Sequence, residues 1–251
     1  MIVLGLDTAT PATAVGLLLP DGSTLSARDD PQPGQRPGHA TRLLPLAEEL
    51  LAQAGSGWSE LQRIAVGLGP GTFTGLRVGI ATARGLAQSL AVELVGVSSL
   101  DALAHRAAGA WRSHRTAGEW RPHRVAGAWP GNVLAAIDAR RGEVFAAAYP
   151  SDGPPTAPRA LAPRDVGELL AELRPSSEAP WLALGNGAVL YRSHLLDLGI
   201  EVPSADSPLH RIDGAAICEL ALDAPVCAPH TVLPDYLRRP DAEIALSGSA
   251  G

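Results

Sequence analysis

Residues 67 to 79 read GLGPGTFTGLRVG, a glycine-spaced turn between the apolar run Ile64-Ala65-Val66 and the helical stretch Leu76 to Leu90. Gly67, Gly69, Gly71, Gly75 and Gly79 let the backbone reverse where a side chain would clash, Pro70 stiffens the turn, and Thr74 is placed to cap the helix that follows. Two readings of the turn stand side by side. One is a tight strand-to-helix connection; the other is a cradle in which backbone N–H groups at a helix N-terminus hold an anion. Glycine-rich turns are common, and spacing alone favours the plain connection.

The flanking chain alternates strand and helix signals. Ile2 to Asp7 and Thr13 to Leu19 read as strands, and Pro20-Asp21-Gly22-Ser23 turns the chain into a third, Thr24 to Arg28. After a Pro/Gly-rich loop from Pro31 to Gly38, a helix is predicted from His39 to Ala54, with Leu43, Leu46, Ala47, Leu50 and Leu51 on one side. Strand Ile64 to Leu68, the glycine turn, helix Leu76 to Leu90 and strand Val92 to Val97 complete a βββαβαβ order. That order implies an α/β fold, a mixed sheet with helices packed on it. The second half repeats it loosely: strands Val133 to Ile137 and Val144 to Tyr149, a helix near Arg164 to Leu173, strand Trp181 to Leu184, and a helix near Val189 to Leu198. Two copies of one plan predict two lobes, residues 1–104 and 132–251.

Between the lobes, residues 105–131 parse as three nonapeptides, HRAAGAWRS, HRTAGEWRP and HRVAGAWPG, with His105, His114 and His123 in one register and Trp111, Trp120 and Trp129 in another. A tandem duplication inserted into a surface loop explains the fixed period, since loops tolerate growth at small entropic cost. A metal-binding or base-stacking array is the alternative.

Charge narrows the chemistry. All twenty basic residues are arginine. Without lysine there is no Walker-type phosphate loop, no Schiff-base enzyme and no phosphate-pairing lysine of a kinase. A formal charge of −6 argues against broad, charge-driven binding to RNA. Cys218 and Cys227 have no metal-ligand spacing and read as inert thiols. No run approaches the apolar length of a membrane span, and no basic region precedes the apolar start Met1 to Leu6, so a cytoplasmic protein is expected.

Five blocks, the glycine turn among them, fix a resemblance. GPGTFTGLRVGIATARGLAQSL with VGVSSLDALA, LGLDTATPATAVGLL, DARRGEVFAAAY, ALGNGA and LPDYLRRPDAE together resemble the signatures of the TsaB (YeaZ) family. These are the non-catalytic partner subunits in bacterial tRNA threonylcarbamoyladenosine synthesis. The resemblance implies the duplicated, two-lobed fold of the actin-like, Hsp70-like and sugar-kinase-like superfamily, with ligands held between the lobes. It makes Asp7, Asp138, Gly185 and Gly187 candidates for nucleotide binding, with no intrinsic cofactor but with ATP or ADP in the assembled complex. The catalytic relative TsaD carries a metal-binding HxxxH pair where this chain has Ser99 and Leu103. Asp213 matches that relative's third ligand, and His39 reads as a helix-start residue, so no metal site is expected.

The resemblance also assigns partners. A TsaD-like catalytic subunit, or a second copy of the chain, is expected to pair helix with helix in a four-helix bundle, through Leu43, Ala47 and Leu50 on one helix and Leu76, Ile80, Ala83 and Ala87 on the next. A TsaE-like ATPase joins the complex, and tRNA is contacted only through it. The rival readings are an independent ATP-dependent transferase or kinase and, with less support, a metallopeptidase.

Overall fold

The computed structural model describes residues 1–32, 34–108, 131–173 and 179–238, so the nonapeptide register beyond His105 lies outside the described residues. Strands β1 (Val3–Asp7), β2 (Thr13–Leu18) and β3 (Thr24–Asp29) form the expected antiparallel meander. Helix α1 (His39–Gln53) leads to β4 (Arg63–Gly67), which joins β1 in parallel. Helix α2 (Phe73–Leu90) then crosses over to β5 (Glu93–Val97), and the sheet order is β3-β2-β1-β4-β5. Helix α3 (Ser99–Ala108) follows.

The second sheet repeats the plan: β6 (Asn132–Arg140), β7 (Glu143–Tyr149) and β8 (Arg159–Leu161) are antiparallel, α4 (Val166–Ala171) follows, and β9 (Trp181–Leu184) joins β6 in parallel, giving β8-β7-β6-β9. Among the described residues this copy stops one strand short. Where the fifth strand would lie, a single parallel bridge pairs Leu182 with Glu201. The helix expected over Val189 to Leu198 is two short ones, α5 (Asn186–Leu190) and α6 (Arg192–Asp197), broken where Tyr191 leaves helical geometry at φ −109° and ψ 28°. Helix α7 (Gly214–Leu220) closes the order.

Period-two alternation distributes the first sheet between two cores. Leu4, Leu6, Val15, Leu17, Ile64 and Val66 face α1 and α2, while Val3, Ala65 and Val95 face the other way into a core shared with the second sheet. In that central core lie Leu100 and Leu103 of α3, Ile137 of β6, Leu184 of β9 and Ile217 of α7.

Two helices pack across the expected boundary between the lobes. Helix α3, counted with residues 1–104, packs on β6 and β7; α7, counted with 132–251, lies on β1 and β2. The segment after α7 stays with the first sheet: Arg63 Nη1 donates to the Ala221 carbonyl, and the Cys227 and Asp235 N–H groups donate to Leu94 and Leu68 at 2.8 Å each.

The expected interface stripe is also corrected. Leu43, Ala47, Leu50, Leu76, Ile80, Ala83 and Ala87 are each no more than 3% exposed. A helix resting on a sheet must bury its apolar face, and these residues are that face, so they are not open to a partner. Among the described residues no helix is long and apolar enough to cross a membrane.

Candidate functional site

Strand β1 ends at Asp7, directly over the glycine turn. The carboxylate is 1% exposed; its Oδ2 accepts from Ser99 Oγ at 2.6 Å and its Oδ1 from the Ala9 N–H at 2.9 Å. Burial pushes this carboxyl above its usual value, against the opposing pull of the Ser99 hydroxyl, the Ala9 amide and the Arg28 charge. Glycine is needed at position 67 because a Cβ there would collide with the Asp7 carboxylate. Ser99 also fastens the turn. Its Oγ accepts from the Gly69 N–H at 3.2 Å, and its own N–H donates to the Gly69 carbonyl at 2.8 Å.

One helical turn along α3, Leu103 meets the other lobe. A Cβ on Gly185, which has φ 104°, would lie 2.6 Å from Leu103 Cδ2 and would strike the Ala136 carbonyl of β6; one on Gly187 would lie 2.9 Å from the Ile137 carbonyl carbon. Asp138 is held beside them, its N–H donating to Asn186 Oδ1 at 3.1 Å and its Oδ1 accepting from the Arg140 N–H at 2.8 Å. Asp138, Gly185 and Gly187 thus come together, while Asp7 is closed to solvent and bonded to Ser99, one helical turn before Leu103 on the same face of α3.

The metal-ligand positions carry other duties. Asp213 is the N-cap of α7: its Oδ1 accepts from the Ala215 N–H at 3.0 Å and from the Ser26 hydroxyl, and Arg106 pairs with its Oδ2. Among the described residues no group of three His, Cys, Asp or Glu side chains could hold a metal ion. His39 does start α1, but it is buried, with Nδ1 sharing a 2.9 Å hydrogen bond with Thr13 Oγ1. Thr74 does not cap α2. The N-cap position is Thr72, whose side chain makes no capping bond.

The outward face of the first lobe is built by α1 and α2. Leu44 is 43% exposed, with Pro45, Glu48 and Glu49 around it. On α2, Ala81 and Gly85 are exposed, and a Cβ added to Gly85 would meet nothing within 4 Å. Beside them the last described segment folds over the start of α2. Tyr236 stacks on Phe73 with ring centroids 5.1 Å apart, and Arg77 lies 3.8 Å above the Phe73 ring while its Nε donates to the Tyr236 hydroxyl at 3.1 Å. Leu233 next to it is 61% exposed. Sequence reasoning missed this aromatic cluster, whose signal was the LPDYLRRPDAE block.

Residues 35–154 match the family model described as TsaD, tRNA N6-adenosine threonylcarbamoyltransferase. The tRNA threonylcarbamoyladenosine biosynthesis protein TsaB of Escherichia coli is 34% identical over 193 residues, 74% of this chain and 72% of that protein. The Bacillus subtilis protein of the same name is 27% identical over 97% of this chain and 96% of its own length. Among solved structures, YeaZ from Pseudomonas aeruginosa superposes with a TM-score of 0.69 at 29% identity, covering 94% of this chain and 99% of that one.

Proposed function

The chain belongs to the TsaB (YeaZ) family of tRNA threonylcarbamoyladenosine biosynthesis proteins, and we propose that within this pathway it is a non-catalytic subunit that binds and activates a TsaD-type threonylcarbamoyltransferase. The transferase modifies the adenosine next to the anticodon of tRNA. The observation that carries this reading is the use made of α3. Ser99 and Leu103, in the places of the relative's histidine pair, spend their contacts on Asp7 and Gly185 of their own chain. A hydroxyl already bonded to a buried carboxylate and an alkyl group in a packed core offer neither a metal ligand nor a general base.

A protein with its interior so occupied acts through its surface. The outward face of α1 and α2, with Leu44, Ala81 and Gly85, is the docking face for the TsaD-type partner, because small residues admit a partner helix closely and Leu44 supplies an apolar contact. A second copy of the chain uses the same face when that partner is absent. A TsaE-type ATPase joins the assembled pair, and any ATP or ADP is held there.

Co-purification with TsaD-type and TsaE-type subunits, with and without ATP, tests the assembly, and threonylcarbamoylation of tRNA by the TsaD-type subunit tests activation. Binding to that subunit and a marked loss of modification without this chain are expected. Equal modification without it, or ATP turnover by this chain alone, overturns the reading.

A further inference from the structure

Most of the described arginines stand beside a carboxylate. Arg63, Arg159 and Arg238, for example, meet Glu93, Glu172 and Glu143 at 2.7 Å each. The two arginines of α2 do not: among the described residues neither Arg77 nor Arg84 has an ion pair. A chain with a formal charge of −6 has carboxylates to spare, so these two guanidiniums are left for an acceptor from outside. Phe73, Arg77 and Arg84 follow one another at i, i+4 and i+11, which places them on one face of α2 with Ala81 at its border.

Residues 232–238 lay apolar surface along the start of that face. The segment is pinned at three points: Val232 is buried in the core under α1 and α2, the Asp235 N–H donates to the Leu68 carbonyl at 2.8 Å, and Leu237 packs against the central core. Between these anchors Leu233 is 61% exposed and Tyr236 38%. Large side chains held on a pinned backbone lose little freedom when a partner covers them. Arg77 is prepared in the same way. It is stacked on Phe73 with its Nε on the Tyr236 hydroxyl, and among the described residues its Nη groups have no acceptor. Asp235 pairs with neither arginine, and burial alone raises its pKa.

We propose that Arg77 and Arg84, with Phe73, Leu233 and Tyr236, form one docking platform for a protein surface that presents carboxylates around an apolar side chain, and that this surface belongs to the TsaD-type partner. The inference rests on the docking role proposed above for the outward face of α1 and α2. It extends that face along α2 from Ala81 to Phe73 and onto the segment at 232–238. Leu233 and Tyr236 supply contact area, while the guanidiniums speed encounter and fix orientation. An RNA backbone fits less well, because Leu233 offers a base or a phosphate nothing and the chain lacks the broad basic surface RNA needs.

Calorimetry and stopped-flow mixing of the full chain with the TsaD-type subunit test it. Leu233→Ser and Arg84→Glu change an exposed and a half-buried position, so circular dichroism and Tm are expected to stay close to native. Each variant is expected to weaken binding about tenfold or more. Added salt is expected to slow association of the native chain, and to slow it less for Arg84→Glu. Native affinity in either folded variant overturns this inference and leaves the scaffold role standing. Failure of the native chain to bind the TsaD-type subunit overturns the scaffold role and this inference with it. A parallel titration with tRNA covers the other class of partner: binding of tRNA by the native chain alone that Arg84→Glu abolishes marks an RNA surface and overturns the proposal.

Discussion

Ser99 donates its hydroxyl to Asp7 across 92 residues of chain, at 2.6 Å, in a place closed to solvent. The bond joins the start of α3 to the end of β1 and, through Gly69, to the glycine turn. It converts a position that could have held a ligand into part of the framework.

Ser99→Ala removes a hydroxyl donor from a buried carboxylate and is expected to cost about 1–3 kcal/mol, read from urea unfolding midpoints. Rebuilding the histidine pair as Ser99→His with Leu103→His is expected to lower stability further and to recruit no stoichiometric zinc. The imidazoles would have to enter space filled by Asp7, Gly67 and Gly185. One tightly held metal per chain after dialysis would contradict this.

Asp7 sets a pH dependence of definite sign. Because burial raises its folded pKa above the usual 3.8, its favourable contribution is complete below that value and is lost as pH rises through the folded pKa. Asp7→Asn keeps an acceptor for the Ala9 N–H and carries no charge. Its Tm relative to the native chain is therefore expected to rise as pH is raised above the usual carboxylate pKa of 3.8. A gap that does not change with pH would show that the carboxyl is not desolvated.

The two faces of α2 are expected to respond oppositely to arginine. Ile80→Arg places an unpaired charge in the core and costs about 3–5 kcal/mol, so the chain unfolds or melts far lower. Gly85→Arg leaves circular dichroism and Tm close to native but weakens binding to the TsaD-type subunit by about a hundredfold, measurable by calorimetry. Unaltered affinity would move the interface away from this face.

The thiols differ in the same way. Burial pushes the Cys218 thiol up, whereas Cys227 is partly exposed. A disulfide reagent is expected to modify Cys227 in the native protein and Cys218 only after denaturant is added.

Much of the architecture was legible because apolar strand runs were bounded by turn chemistry; β2 and β3 lie within one residue of their expected limits. Helix α3 was not anticipated as a separate layer, since its ten residues run into the first nonapeptide at His105, which reads as part of an inserted loop. Helix α7, only seven residues long, offers too few turns for a period to show. The stripes on α1 and α2 were read correctly as shared faces, but periodicity does not say whether a face meets a sheet or a partner. The Ser99 to Asp7 bond and the stacking of Tyr236 on Phe73 depend on distant chain segments meeting, which no local pattern encodes.

The return of α7 to the first sheet bears on how the protein comes into being on the ribosome. Gly214 rests against Val15 and Gly16 of β2, and Cys218 against Gly5 of β1, so the earliest strands made are covered by a helix made near the end. Until that helix emerges, the nascent first lobe carries a bare apolar sheet face, and a chain released early leaves it exposed to proteases and chaperones.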